Sequence, residues 1–419
     1  MICLLKNGYI VDSVNNFEGE RDILIKNGVI VPLDSDKSMP EKVIDCAGLT
    51  VIPGICDMHV HLRDPGQTHK EDIFTGADAA AAGGVTAVMC MPNTTPVIDS
   101  PEKIRDIIER SKTAKVKIYP CASITKGLAG EELTDFAALK QAGAVAVSDD
   151  GRPVGNARLM AQAMILAEKV GLPIISHCED FSLAEEYSRI SENVVTTREI
   201  CLANDLKVPI HIAHVSTKEA VESIRIAKGK GLKVTCETAP HHFSLTDKEL
   251  TRRDADYKMN PPLRTIDDVL AINAELCGGT FDCIASDHAP HSADEKSDFD
   301  NAPNGVVGLE TILAVTLTRL VHMEQVHEQP FFSEWIEKVP LMKVVEMLCV
   351  NPRRILGIPG GSLDAGSPAD ITVFDLNERW TVEAEKLHSK SKNSCFKGMS
   401  LKGRVKYTLV NGEVVYNGV

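Results

Sequence analysis

Between Pro53 and Asp364 the chain alternates. Short runs rich in β-branched and small apolar residues are each followed by a stretch with apolar residues every three to four positions. The runs are Ile55–His61, Ala87–Met91, Val116–Pro120, Ala144–Ser148, Pro173–His177, Ile210–His214, Lys233–Glu237 and Asp282–Ser286. Segments such as Ser100–Lys112, Asn156–Val170 and Thr217–Lys230 are helical in pattern. Eight such βα units fit a closed (β/α)8 TIM barrel over 53–364 better than an open sheet. In that fold, functional groups stand at the carboxyl ends of the strands.

The two ends of the chain follow a different pattern. Cys3–Leu5 and Tyr9–Val11 flank Asn7-Gly8, Ile23–Ile25 and Val29–Val31 flank Asn27-Gly28, and Tyr407–Val410 and Val414–Tyr416 flank Asn411-Gly412. Asn-Gly supplies the two positive-φ residues of a type I′ hairpin, so each block predicts strand, turn, strand. A shared, small, β-sandwich-like domain built from 1–52 plus 365–419 would bury the apolar faces of both ends. The expectation is thus an α/β protein of two domains in 419 residues. The composition, 43% hydrophobic and 25% charged, can fill cores of that size.

Lys+Arg of 45 against Asp+Glu of 59 gives a net charge of −14, which disfavours nucleic acid and anionic membranes as partners. No apolar run reaches the ~20 residues of a membrane-spanning helix. The N-terminus lacks the features of a signal peptide. Twelve cysteines, none in a CxxC pair, fit reduced thiols in a cytoplasmic protein.

The chemistry gathers at the strand ends. The first run gives His59-Val60-His61-Leu62-Arg63-Asp64, and strict alternation places His59 and His61 on one face with Met58, Val60 and Leu62 on the other. Alone, two such imidazoles are either metal ligands or hydrogen-bonded core histidines. Other ends add Ser148-Asp149-Asp150, His177-Cys178-Glu179-Asp180, His214-Val215-Ser216 and Ser286-Asp287-His288-Ala289-Pro290-His291. Four histidines and two or three carboxylates at one barrel mouth call for a divalent metal, since unpaired they would be costly to bury. Amide hydrolysis suits this set. It needs hydroxide at neutral pH, and zinc lowers the pKa of bound water to about 7. Arg63 leaves the strand beside the cluster with a planar fork suited to a carboxylate. The plain alternative is a surface ion pair with Asp64. A cation and metals can reverse the local field of an acidic protein and admit a small anionic substrate.

These residues resemble the amidohydrolase superfamily and, within it, the class I dihydroorotase family. His59–Gly66, Met91-Pro92-Asn93-Thr94, Tyr257–Arg264, Ser286–His291 and Gly361–Asp370 are similar to its signatures, and the resemblance covers essentially the whole chain. It implies a zinc enzyme with one or two ions per subunit. The reaction would interconvert N-carbamoyl-L-aspartate and L-dihydroorotate in pyrimidine biosynthesis, by attack of metal hydroxide on a cyclic amide. His59, His61, His177 and His214 would be ligands, and Asp287 both ligand and proton shuttle. Arg63, Asn93 and His291 would hold the substrate carboxylate, and Asn260 would make a further contact. The resemblance also raises a homodimer and an association with aspartate transcarbamoylase, although no interface signature is legible.

Many relatives place a carboxylated lysine at the end of strand 4. This chain has none there, and Asp150 is expected in its place, with Asp149 the rival in a supporting role. Other cyclic amidohydrolases, such as allantoinase and dihydropyrimidinase, generally carry that lysine and lack Arg63 together with Asn93. A catalytically silent transcarbamoylase scaffold would have lost the histidines. His211 is expected to point outward, Cys178 to be a buried thiol, and Asp57 to be a hydrogen-bonded group below the metal. His241 or His242 could line the pocket, and His288 is a neighbour. His69, His322, His327 and His388 lie off the strand ends. The acidic stretch His291–Gly308 reads as a mobile loop that closes over substrate.

Overall fold

The computed structural model describes residues 2–35, 39–324 and 337–419; His327 lies outside them. At the N-terminus are β1 (Ile2–Asp12), β2 (Phe17–Lys26), β3 (Val29–Val31), β4 (Lys42–Asp45) and β5 (Thr50–Pro53). The barrel strands are β6 (Ile55–Val60), β7 (Val85–Cys90), β8 (Lys117–Ala122), β9 (Ala146–Val147), β10 (Ile175–Ser176), β11 (Ile210–Ile212), β12 (Val234–Thr238) and β13 (Cys283–Ile284). Last come β14 (Ile371–Thr381), β15 (Ser400–Val410) and β16 (Glu413–Asn417).

Strands β6–β9 and β10–β13 form two parallel ribbons. Two parallel bridges join them, Val147 with Ile174 and Val60 with His288, and the amide of His61 donates to the His288 carbonyl at 2.8 Å. The barrel is thereby closed, and the (β/α)8 architecture read from the alternation is the one observed. Met58, Met89, Cys121, Ala146, Ile175, Ala213 and Cys283, contributed by different strands, pack as one interior cluster. A larger cluster lies between strands and surrounding helices. Below the barrel, fully buried Arg353 ties Gly54 and Cys349 carbonyls and the Thr86 hydroxyl together.

Helix boundaries follow capping chemistry. Helix Ala157–Val170 starts at Asn156, whose side chain accepts from the Arg158 and Leu159 amides, and ends at Gly171 in the left-handed region. Helix Lys218–Gly229 is capped by the Thr217 hydroxyl, and helix Pro101–Arg110 opens on proline.

The terminal strands form one eight-stranded sheet ordered β16-β15-β14-β5-β1-β2-β3, with β4 on β1. Ile10, Ile25 and Val51 from one end of the chain pack with Ile371, Val373 and Leu409 from the other. Asn27-Gly28 and Asn411-Gly412 both carry two positive φ angles and turn hairpins. Asn7-Gly8 does not. Only Asn7 has positive φ, β1 runs straight through, and three steps of β1 span two of β2 there, which makes a bulge. Gly8 is needed because a Cβ would sit 2.7 Å from Val51 Cγ2. Among the described residues no helix is long and apolar enough to cross a membrane.

Candidate metal centre

Three positive-φ residues re-aim side chains where the strands end: Arg63 at 58°, His214 at 28° and Asp287 at 50°. A register shift between Asp57 and Val60 does the same within β6. Strict alternation therefore fails in two places. Met58 joins the barrel interior rather than the face expected of it. His211 shares a side of the sheet with Glu237 and Thr235, its Nε2 lying 3.4 Å from Glu237 and its Nδ1 2.9 Å from the Thr235 hydroxyl, so it does not point outward. The backbone at His214, with its positive φ, breaks the parity that predicts an outward orientation for His211.

Six of the expected residues converge. Two triads of close donor atoms form, His59–His61–Asp150 and Asp150–His177–His214, sharing Asp150. Asp150 Oδ1 lies 3.3 Å from both His59 Nε2 and His177 Nδ1, and 3.6 Å from His214 Nε2. Its Oδ2 is 3.4 Å from His61 Nε2. Asp287 Oδ1 faces the same space, 3.5 Å from His61 Nε2 and 3.7 Å from His59 Nε2. Asp149 turns away, accepting from the Ile124 and Thr125 amides at 2.7 and 3.0 Å.

The outer nitrogens decide what the inner ones can do. His59 Nδ1 donates to Glu237 at 2.7 Å, His61 Nδ1 to the Asn93 side-chain oxygen at 2.9 Å, and His177 Nε2 to Glu179 at 3.0 Å. Each neutral ring then presents a lone pair to the centre, against carboxylates that also offer only lone pairs. Among the described residues, His59 Nε2 and Asp150 Oδ1 have no hydrogen-bond partner although both are buried. Such a donor set fits a divalent cation. Without a cation at the centre the carboxylates recruit protons instead: burial pulls His177 down, but Asp150 and Glu179 outweigh it and hold the ring up at about 10, a positive charge that a bound metal would replace. Burial works to raise the Asp150 carboxyl, yet the surrounding imidazoles keep it well below the usual range. Asp287 is lowered against its own burial by His61 and His59.

Above the cluster is a cleft of about 440 Å³, lined among others by Arg63, Asn93, Asn260, Asn304 and Asp287. Burial lowers Arg63 to about 10, so it stays cationic at neutral pH. Its Nε donates to the Pro290 carbonyl at 3.1 Å, and His291 Nε2 stands 3.2 Å from its Nη2. Asp64 pairs with Arg110 instead of Arg63. Asn260 donates to both Glu179 oxygens at 3.1 and 3.2 Å. Asp57 accepts from the Ser286 and His59 amides beneath the cluster. Cys178 is buried in the helix-facing layer. His288 lies between Glu71 and the Gly308 amide. His241 and His242 are buried, and neither lines the cleft. His322 and His388 bind the Leu376 carbonyl and Glu310, and His69 is mostly exposed. Within 291–308, Lys296 donates to the carbonyls of Lys258 and Pro303.

The roles of Glu179 and Glu237 are not apparent from the sequence pattern. The available signal was an acidic residue at or just past a barrel strand end, where burial without an imidazole or cation partner would be costly.

A (β/α)8 barrel with histidines and aspartates gathered at its mouth defines the amidohydrolase class. An amidohydrolase family model matches residues 315–416, and the fold superposes on L-hydantoinase (dihydropyrimidinase) from Arthrobacter aurescens with TM-score 0.88 at 25% identity, covering 99% of this chain and 96% of that one. Dihydropyrimidinase from Brevibacillus agri gives 0.86 at 22%, covering 100% and 95%. A dihydro-orotase-like model matches residues 48–220. Dihydroorotases of Geobacter metallireducens (46% identical, 99% of this chain and 100% of that protein) and Aquifex aeolicus (42%, 99% of each) align end to end. The chain belongs to the dihydroorotase family.

Proposed function

We propose that this chain is a zinc-dependent dihydroorotase, reversibly cyclising N-carbamoyl-L-aspartate to L-dihydroorotate in de novo pyrimidine biosynthesis. The observation that carries the reading is the pairing of a lone-pair cluster around Asp150 with a buried arginine at one cleft. His59, His61, Asp150, His177, His214 and Asp287 would hold the metal. Asp150 belongs to both triads, so these residues would hold one or two ions. Bound zinc supplies Lewis acidity to the amide carbonyl and to water.

The remaining steps belong to the protein. Arg63, with Asn93 and His291, takes the substrate carboxylate and sets the ring over the cluster, and Asn260 adds a contact. Asp287, held ionised, accepts the proton of the attacking water. As the water oxygen bonds to the carbonyl carbon and the C–N bond breaks, Asp287 returns that proton to the departing nitrogen. Ring closure runs the same steps backward. Glu237, Asn93 and Glu179 hold three imidazoles in the tautomers that face inward.

The same reading divides the chain into a catalytic barrel, 53–364, and a discontinuous β domain. It places the protein in the cytoplasm, supported by cysteines of which all but Cys201 and Cys277 are buried. It also includes a homodimer and an aspartate transcarbamoylase association, both read out by sedimentation with and without that partner. The activity is tested by following dihydroorotate by absorbance with zinc-loaded protein, using allantoin and dihydrouracil as controls. Turnover of dihydroorotate alone, abolished by chelation and restored by zinc, is expected. Turnover of a control instead, or of nothing with or without a transcarbamoylase, overturns the reading.

A further inference from the structure

His291 stands between two cations. Its Nδ1 lies 3.3 Å from Lys70 Nζ, while its Nε2 lies 3.2 Å from Arg63 Nη2 and 2.9 Å from the Asn304 carbonyl. Lys296 adds a third positive charge, and the backbone amide of His291 donates to the Asn393 side-chain oxygen at 3.2 Å. Burial, reinforced by these cations, pulls the ring down to about 3, so at neutral pH it holds a single proton.

Where that proton sits follows from donor counting. An ammonium has only hydrogens to offer, so the nitrogen facing Lys70 must present its lone pair. Nδ1 is therefore the acceptor, and Nε2 carries the hydrogen, donated to the Asn304 carbonyl. A guanidinium also only donates. Arg63 Nη2–H and His291 Nε2–H thus stand 3.2 Å apart with nothing to give each other, beside the cleft that Arg63 and Asn304 line. Two adjacent donors that cannot bond one another suit a shared anionic oxygen, the one Nε2 hydrogen then being shared between that oxygen and the Asn304 carbonyl. Glu295 pulls the other way, since its Oε2 is 3.5 Å from Nδ1. Its oxygens are already engaged by Lys70 at 2.9 Å and by the Ser292 amide at 3.0 Å.

We propose that Lys70 is a positioning residue that fixes His291 as the Nε2–H tautomer, so that His291 and Arg63 present paired donors to the substrate carboxylate. This rests on the carboxylate seat proposed above. Without the Lys70 ammonium, Glu295 is released and draws the proton to Nδ1, and Nε2 becomes an acceptor that Arg63 consumes.

The test uses metal-loaded protein labelled with 15N-histidine, with the His291 ring signals assigned by their loss in His291→Gln. Wild type is expected to show a protonated Nε2 and a bare Nδ1. Lys70→Met is expected to move the proton toward Nδ1 and to raise KM for dihydroorotate about tenfold, with kcat little changed. Lys70→Arg, which keeps a donor, restores both readouts and controls for folding. A Lys70→Met ring that keeps its proton on Nε2, or a variant that loses kcat with KM intact, overturns the proposal. Should wild type leave dihydroorotate untouched, the functional reading falls, and the ring nitrogens still decide whether Lys70 sets the tautomer.

Discussion

Around Asp150, three imidazoles each have an outer nitrogen already committed, two of them to buried or half-buried carboxylates. The ligand residues were legible in the sequence because they fall at the ends of periodic runs. Their supports were not, because Glu237 meets His59 across 178 positions of chain that no spacing rule connects. Glu237→Gln keeps an acceptor but loses the charge that makes His59 a strong ligand. Metal affinity, measured by chelator competition, is expected to fall by roughly tenfold or more. Unchanged affinity counts against a supporting role. Lys296 gives a residue-scale prediction in pH. Burial pulls its ammonium down to about 8, below the roughly 10.4 of an unfolded lysine. Between those values the unfolded chain binds more protons, so this residue's contribution to stability is present at high pH and is lost as pH falls through 8. The Tm difference, wild type minus Lys296→Met, is expected to grow from pH 8 to pH 10. A flat difference refutes it.

At the scale of elements, the loops leaving β6 and β7 lean on one another. Gly66, at φ +88°, packs so closely on the second loop that a Cβ would lie 1.8 Å from the Thr95 carbonyl oxygen. The same two loops carry Arg63 and Asn93. Gly66→Ala must drive them apart, and the expected result is a loss of kcat/KM of about a hundredfold, the scale of a 1 Å misplacement. Steady-state kinetics with circular dichroism as the folding control decide it; full activity is the contrary result. Strand order and helix ends were readable because periodicity and caps are local. The departures at Asn7-Gly8, Met58 and His211 were not. Each depends on a bulge or a positive φ that is set by tertiary packing, and a one-residue slip reverses every side chain beyond it.

For the molecule as a whole, the eight-stranded sheet draws on both ends of the chain and presses on the barrel wall, where the Thr408 hydroxyl donates to the Ala81 carbonyl at 2.7 Å. Deleting residues 400–419 touches none of the proposed ligands yet removes β15 and β16. The truncated chain is expected to lose near-UV dichroism and metal content, while an intact, metal-loaded product would show the sheet to be dispensable. The same weave sets an order of events at the ribosome. Strand β5 has β1 along one edge early in synthesis, but its other edge is claimed by β14, which begins at Ile371. For more than three hundred residues of translation that edge has no mate, and every proposed ligand is made before the mate is. A prematurely terminated chain could carry a full set of ligands and still display an open strand to chaperones and proteases, so quality control can recognise unfinished copies without sensing catalysis.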